Sequence, residues 1–316
     1  MHSDRSMSGD YHDPTDLQDA FKLLETECPV SNENLHNKAH DVFPIPFAGG
    51  KLVINKGLSP NFQVNHSILL TRGEQIGYRF GATYVGHGKV SETEVCPVLI
   101  GEVQPNGDLQ AQVIHCFSKN LRMRYLAQIQ GNKMLGQQFA TDFKKNRWQI
   151  GVTVINPDVE KKQFMSAIDV MRQVTPHFAF GTMFFAQISP QLPSGRDGMW
   201  SLGMRYTHSS FWSTALSLRP FHNSFHTSFH MRANENLQMA AEFESNFQQQ
   251  SNIATIGYQF DLPKTNVTFK SQIDSNMNVA STLEKKMLPF PFTLTLSAMG
   301  SLLKSHYEIG IGLIVG

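Results

Sequence analysis

The chain has 316 residues and a nearly balanced charge, with 27 Lys and Arg against 26 Asp and Glu and a formal net charge of +1 at pH 7. This balance argues against a general binder of nucleic acid or of acidic lipid. Charged residues make up only 17% of the chain, which also carries 23 Phe and 23 Gly against three Trp. Many strands joined by tight turns fit this composition better than helices do.

Membrane helices, leader sequences and cysteine motifs give no signal in this sequence. No run of about 18 apolar residues is present, so we expect no transmembrane helix. The stretch MHSDRSMSGDYHDPTD holds four aspartates and one Arg, which fits neither a secretory signal nor an Arg-rich transit peptide. Cys28, Cys96 and Cys116 lie far apart without C-x-x-C spacing. We therefore expect no disulfide framework or zinc site, and a reducing or redox-neutral environment.

Residues 1–48 are predicted to form a separate N-terminal segment, disordered at first, then helical and partly inside the pore described below. Asp13 is a suitable N-cap for a first helix, with a proline at the next position. A second short helix is expected from Ser31 toward Val42, before two prolines that would end it. Its apolar side would carry Leu35, Ala39 and Val42.

Residues 49–316 show alternating apolar and polar positions in about nineteen segments, the first near 51–57 and the last near 305–315. Most of these segments approach the 9–11 residues that a tilted membrane strand needs. The stretch LQMAAEFESNF illustrates the pattern, with one apolar and one mainly polar face. Its opposing sets are Leu237, Met239, Ala241 and Phe243 against Gln238, Ala240, Glu242 and Glu244.

The stretch FHNSFHTSFHMR, from Phe221, predicts a similar strand with phenylalanines on one side. His222, His226 and His230 would share the other side. Four residues along a strand span about 13 Å, which is too far for two imidazoles to bind one metal ion. We predict no metal site, no cofactor and no catalytic constellation, so the chain is not expected to be an enzyme.

The number of strands favours closure of the sheet. Open sheets seldom exceed about ten strands before they split or curl, whereas closure into a barrel removes the edges and leaves an aqueous lumen. In hydrocarbon only helices and closed barrels satisfy their backbone hydrogen bonds. The sequence therefore predicts an all-β transmembrane barrel, with the polar face inside and the Phe-rich face against lipid. The ending HYEIGIGLIVG would be the strand that closes the ring.

Several carboxylates are predicted to face the lumen. They could offer weak sites along which a basic amphipathic segment slides, because exposed ion pairs contribute only about 0–1 kcal/mol each. Basic side chains share this interior, so general solvation of the lumen remains an alternative role for the carboxylates. The candidates are Asp142, Asp169, Glu242, Glu244, Asp274 and Glu308.

Several stretches resemble one family: KLVINKGLSPNFQVNHSILL, YVGHGKVSETEVCPVLIGEVQPNGDLQAQVIH, GYQFDLPKTNVTFKSQIDSN and TLEKKMLPFPFTLTL. They look like the channel-forming barrel subunit of the mitochondrial outer-membrane preprotein translocase, in the mitochondrial porin superfamily. The resemblance covers about residues 42–316 and implies a barrel of about nineteen strands with an N-terminal helical segment in the lumen. A basic turn at 144–147 and a poor match over 200–235 suggest a divergent paralogue.

The resemblance also implies a function and partners. Such a chain would conduct unfolded preproteins with basic presequences across the mitochondrial outer membrane, together with small helical subunits, receptor subunits, further copies of itself as a dimer or trimer, and membrane phospholipid, but no nucleic acid. Lys56 and His66 match positions near the subunit interface, where a lipid headgroup and the receptor dock. Strand parity independently places His66 on the outer surface. The matching sorting-signal positions are Glu308, Gly310, Leu313 and Val315.

Two other functions are also compatible with this sequence. A metabolite pore of the anion-channel kind would have the same architecture with a basic, anion-selective interior. A soluble all-β binding protein would use the Phe-rich face as a core instead of exposing it to lipid.

Overall fold

The computed structural model describes residues 31–70, 77–89, 95–131, 133–158, 163–190, 195–208 and 211–316. The expected helix after Asp13 and the expected disorder before it lie outside these residues, as does Cys28. The described chain forms one sheet of nineteen strands in which each strand pairs with its neighbours in sequence and the first pairs with the last. The sheet is therefore a closed barrel.

The strands follow one another along the chain with short connections. They correspond one for one to the alternating segments predicted from the sequence, with differences only at their ends. The strands are β1 Gly49–Ser59, β2 Phe62–Leu70, β3 Gly77–Lys89, β4 Val95–Val103, β5 Leu109–Ser118, β6 Leu121–Gln130, β7 Lys133–Lys145, β8 Trp148–Asp158, β9 Gln163–Gln173, β10 Phe178–Ile188, β11 Arg196–His208, β12 Trp212–Arg219, β13 Ser224–Asn234, β14 Leu237–Asn246, β15 Ser251–Leu262, β16 Val267–Asp274, β17 Asn278–Lys286, β18 Phe292–Ser301 and β19 His306–Val315.

Closure depends on the last segment of the chain, as predicted. β19 pairs antiparallel with β18 on one side and parallel with β1 on the other, with Gly310 opposite Gly49 and Val315 opposite Ile54. An odd number of strands requires one parallel pair when all other neighbours are antiparallel. No strand edge is therefore left unpaired, which is the condition for spanning hydrocarbon.

The outer face of the barrel is apolar and exposed. Ile309 is 72% exposed, Phe184 51% and Ile168 48%. A soluble monomer rarely exposes a contiguous apolar patch of more than a few hundred Å². The Phe-rich face therefore meets lipid rather than a protein core, and the predicted transmembrane barrel is confirmed.

Residues 31–48 form a short segment inside the barrel. It contains a 3-10 turn at Asn32–Asn34 and a single-turn helix, α1, at Asn37–His40. The predicted continuous helix from Ser31 to Val42 is wrong, because so short a helix is marginal and polar contacts with the barrel wall hold the segment in another shape. Within the described residues, no helix is long and apolar enough to cross a membrane.

The cysteine prediction is wrong for two of the three cysteines. Cys96 and Cys116 form a disulfide, with their Cα atoms 5.9 Å apart. The register of β4 and β5 explains the pairing, because Val98 lies opposite Ile114 and the same alignment brings the two cysteines together. Spacing along the sequence carries no information about this cross-strand alignment.

The predicted strand from Phe221 also needs a correction. Residues Pro220–His222 form a 3-10 turn, and β13 begins only at Ser224. Pro220 cannot donate a ladder hydrogen bond, and Asn223 adopts a left-handed conformation with φ 44°, so a turn forms here. Phe221 and His222 therefore do not belong to the faces of β13, whereas His226 and His230 do.

Candidate functional site

The lumen is identified by the face of the wall that residues 31–48 touch. Leu35 packs against Met171 and Ala215, on β9 and β12. Val42 and Phe43 pack against Ala240 on β14. Residues opposite one another in neighbouring strands share a face, so these contacts assign the lumen side of every strand through the register.

Polar contacts fix the segment along its length. The Ser31 hydroxyl donates to the Asp169 carboxylate over 2.8 Å, and the backbone N–H of Asn32 lies 3.3 Å from both oxygens of the same carboxylate. The Lys270 ammonium donates to the backbone carbonyl of Asp41 over 2.5 Å. The backbone N–H of Phe47 donates to a serine hydroxyl on β18 over 2.9 Å. The segment is therefore anchored on opposite sides of the lumen.

Two wall glycines make room for the segment. A Cβ atom at Gly203 would overlap the side chain of Asn32, and one at Gly257 would lie 2.5 Å from the ring of Phe43. Glycine inside a strand often marks the close approach of another backbone. The lumen-side positions of Gly203 and Gly257 in their strands are thus the sequence signal for this docking site.

His36 is the central polar anchor of the segment. Its Nδ1 and Nε2 atoms each lie 2.7 Å from a serine hydroxyl, Ser228 and Ser217 respectively. Its ring lies against the ring of His226, with 3.9 Å between centroids and an angle of 32° between the ring planes. Burial of the ring, reinforced by the positive charges of His226, His40 and Arg219, lowers the pKa of His36 from 6.5 to about 3.

This pKa predicts acid-sensitive docking of residues 31–48. Released His36 takes up a proton near pH 6.5 and docked His36 only near pH 3, so docking is fully favoured above about pH 6.5 and weakens as the pH falls through this window. We expect the channel noise in a planar bilayer to increase as the pH is lowered from 7.5 to 4.5. His36→Gln should remove most of this dependence, and equal pH dependence in both proteins would contradict the assignment. Glu242, 3.8 Å from His226, is the carboxylate that faces the two histidine rings, and His36→Gln leaves it unchanged.

Asp142 and Asp169 face the lumen side by side, as predicted. They flank Gly151 on the middle strand, where a Cβ would lie 3.4 Å from Asp142 and 3.5 Å from Asp169. Asp169 is only 7% exposed because the N-terminal segment covers it. Arg124 lies 3.7 Å from both Asp142 and Glu33 of the segment. Asp142 is therefore partly accessible from the lumen, whereas Asp169 already has partners within the chain.

Glu242 and Glu244 also face the lumen, as predicted, on β14. They lie opposite Ser228 and His226 of β13. Glu244 is exposed, whereas the Glu242 side chain is only 13% exposed beside His226, and its buried Oε1 atom has no hydrogen-bond partner. These two side chains lie on the wall next to the docked segment and offer negative charge to the space that remains.

Asp274 and Glu308 lie at one end of the lumen. We call the end where β19 finishes, at Val315, the C-terminal rim, and the other end the opposite rim. Asp274 ends β16 at the opposite rim and accepts two 2.8 Å hydrogen bonds from Asn278. Glu308 lies at the start of β19, 3.1 Å from His306. Both carboxylates face the lumen side, but each has a local partner near this rim.

The residues proposed for the subunit interface lie on the outer face. His66 is opposite Ile54, and Lys56 is opposite Val64, in the pairing of β1 with β2. The His66 ring lies 2.6 Å from the Tyr78 hydroxyl, measured from Nδ1. In β19, Leu313 and Val315 point outward, whereas Glu308 and Gly310 face the lumen.

No group of three or more His, Cys, Asp or Glu side chains in the part of the chain that the structure describes is arranged to hold a metal ion. His226 and His230 each have other neighbours. His226 lies beside Glu242 and His36, and His230 lies 3.1 Å from the side-chain oxygen of Gln238.

A closed barrel with an apolar outer face and a polar lumen defines a channel-forming membrane β-barrel. The eukaryotic porin family matches residues 28–310 of this chain. Mitochondrial import receptor subunit TOM40 homolog 2 of Drosophila melanogaster is 35% identical, over 95% of this chain and 87% of its own length. The TOM40 homologs of Homo sapiens and Caenorhabditis elegans are each 36% identical, over 91% and 96% of this chain and 78% and 99% of their own lengths. The chain belongs to the eukaryotic porin family, in the branch of the TOM40 homologs.

Proposed function

We propose that this chain is the channel through which unfolded preproteins cross the mitochondrial outer membrane, without bond chemistry. The similarity to import receptor subunits over nearly the whole chain supports protein import as the function. The observation that carries the mechanism is a closed lumen wall that presents separate carboxylates. Channel and cargo would then interact only through weak, reversible contacts.

The proposed track for basic presequences consists of Glu244, Glu242 and Asp142. Each carboxylate attracts a basic side chain by no more than about 1 kcal/mol in water, so the cargo is held without being trapped. Asp169 is excluded from this track because the chain's own Ser31 and Asn32 occupy it. Asp274 and Glu308 would contact cargo only at the opposite rim.

An apolar part of the lumen would serve extended hydrophobic segments. Met183 lies opposite Asp169, and Phe185 lies opposite Ala167, so both face inward from β10. Met199 lies opposite Phe185 on the next strand. These polarizable and aromatic side chains can contact many sequences, as unfolded cargo requires.

Residues 1–48 are proposed to act as a separate segment that lines the pore, and residues 49–316 as the barrel. The anchors of residues 31–48 on β9, β14, β16 and β18 support this division. The segment narrows the lumen and contributes Glu33 to its inner surface. Release of the segment from the wall would change the conductance and expose the lumen residues that the segment covers.

The proposed partners would bind to the outer face of the barrel. Lys56, His66 and Tyr78 would contact a second barrel, a receptor subunit or a phospholipid headgroup, and small helical subunits would pack on the apolar wall. Tyr78 is 38% exposed and His66 lies beside it, so the pair offers polar atoms within an apolar surface. The sorting signal would be read from Glu308, Gly310, Leu313 and Val315 before β19 closes the ring.

The test of the proposed function is the conductance of the purified chain in a planar bilayer. A basic presequence peptide should block the channel at low micromolar concentration and lose affinity as salt increases, because exposed charges are screened within about 10 Å at 0.1 M salt. A metabolite pore would instead select small anions and ignore the peptide. Lumen cations such as Lys270 and Arg124 are the observation that favours this alternative.

A further inference from the structure

The outer face carries a basic and aromatic belt at the C-terminal rim that the import function does not use. Trp148 begins β8, and Arg172 lies opposite it near the end of β9. The Arg172 guanidinium lies over the Trp148 ring, 4.8 Å from its centroid. This contact holds a cation within about two residues of the strand ends, at the level where a membrane meets water.

Two more cations adjoin this pair. Lys145 on β7 lies opposite Trp148 on β8, so both side chains project from the outer face. Arg147 lies in the exposed turn between them. The chain's net charge of +1 does not reveal this concentration, because the compensating carboxylates lie elsewhere.

The acidic side chains of β7–β12 do not balance this charge. Among the residues that the structure describes in these strands and their turns, Asp142 and Asp169 face the lumen, and Asp158 and Asp197 lie at the opposite rim. None therefore offers a carboxylate to Lys145, Arg147 or Arg172 on the outer face. The three cations remain available to a negative group from outside the chain.

Aromatic rings extend the belt around the barrel. Tyr206 and His208 end β11, and Trp212 begins β12. The Trp212 ring lies 5.3 Å from Tyr206 and 5.4 Å from His208, between centroids. Trp and Tyr rings are enriched where a bilayer's hydrocarbon meets its headgroups.

Farther from the C-terminal rim, the outer face of these strands is apolar. Ile150 on β8, Ile168 on β9 and Phe180 on β10 continue the outer face toward the middle of the barrel. A ligand that fits both parts must have an anionic head and long apolar chains. This combination distinguishes a phospholipid from an acidic protein surface, which would match only the cations.

We propose that this belt is a binding site for anionic phospholipid, with the headgroup phosphate on Arg172, Lys145 and Arg147 and the acyl chains along the wall below. The guanidinium suits bidentate phosphate binding, and Trp148 orients it. The site is separate from Lys56 and His66, which lie on β1 and β2. It does not depend on the proposed function of the lumen.

The test uses tryptophan quenching in the full-length chain reconstituted in phosphatidylcholine bilayers. Trp148 and Trp212 lie in the belt, and Trp200 faces outward near the opposite rim, 6.4 Å from Phe221. In a Trp200→Phe background, brominated phosphatidylglycerol should quench several-fold more than brominated phosphatidylcholine at equal bromine content. In the Trp148→Phe, Trp212→Phe variant, which reports from Trp200, the two lipids should quench equally.

Neutralising the cations should remove the preference. We expect Lys145→Gln, Arg147→Gln and Arg172→Gln together to lower the apparent affinity for phosphatidylglycerol at least about tenfold, while Trp148 still reports. The matched control neutralises Lys264, in the turn between β15 and β16, and Lys285 and Lys286, at the end of β17; all three lie at the C-terminal rim away from the belt, and this variant should keep the preference. Both variants are first checked for native strand content and bilayer insertion.

Three outcomes would overturn the proposal. Equal quenching by the two lipids in the Trp200→Phe background would show that no anionic lipid is preferred. Loss of the preference in both triple variants would show a general charge effect rather than a site. Shielding of Trp148 by an added acidic helical peptide, with no lipid preference, would assign the belt to a protein partner.

Discussion

Reversing Glu242 and Glu244 to Lys should weaken the block of the channel by a basic presequence peptide at least about tenfold at low salt. Each exposed pair contributes up to about 1 kcal/mol, and reversal replaces two attractions by two repulsions. The loss should shrink as salt increases, because these carboxylates face an aqueous lumen. The measurement is the peptide concentration that halves the single-channel open time.

A matched pair of substitutions separates local from general charge effects. Glu235→Lys and Asp108→Lys change the net charge equally but lie in the connections between strands, outside the lumen faces of the wall. This control should leave the block within about twofold of the parent protein. If Glu242→Lys with Glu244→Lys changes the block no more than the control does, these carboxylates are not part of the track.

Replacing Gly257 by Val should release the N-terminal segment from the wall. The new side chain would occupy the position of the Phe43 ring and also approach the Ser271 carbonyl. Overpacking of this kind costs about 1–3 kcal/mol, which undocking would relieve. We expect a larger mean conductance, more frequent gating transitions and faster proteolysis within residues 31–48.

Gly57→Val is the control for this substitution. Gly57 also lies on the lumen face, and a Cβ there would meet nothing within 4 Å. This variant should keep the parent conductance and the parent proteolysis rate. Unchanged gating in Gly257→Val would show that residues 31–48 do not control the pore.

The barrel could be predicted almost strand by strand, because its determinants are local. The period-two alternation fixes which side chains face lipid, and the alternation in residues 305–315 predicts the strand that closes the ring by pairing with β18 and β1. The prediction failed at Phe221 and His222, where the proline just before a good polar–apolar pattern produces a turn. Proline was the available signal there and outweighs the alternation.

The contents of the lumen could be predicted only in part. Parity placed all six carboxylates on the lumen face, but it could not show that Asp169 binds Ser31, which is 138 positions away. The same limit applies to Cys96 and Cys116, whose pairing depends on the register between two strands. Such contacts follow from the relative positions of distant strands, which a single sequence does not specify.

Site-specific photocrosslinking to an arrested preprotein tests whether cargo passes through the lumen of the barrel. A photoreactive residue at Gln272, on the lumen face opposite Gly257, is compared with one at Phe260, on the outer face of β15. We expect the Gln272 position to crosslink to the preprotein and the Phe260 position to crosslink to lipid or a partner subunit. Preprotein crosslinks from Phe260 and none from Gln272 would contradict a path through the lumen, because cargo would then travel along the outside of the barrel.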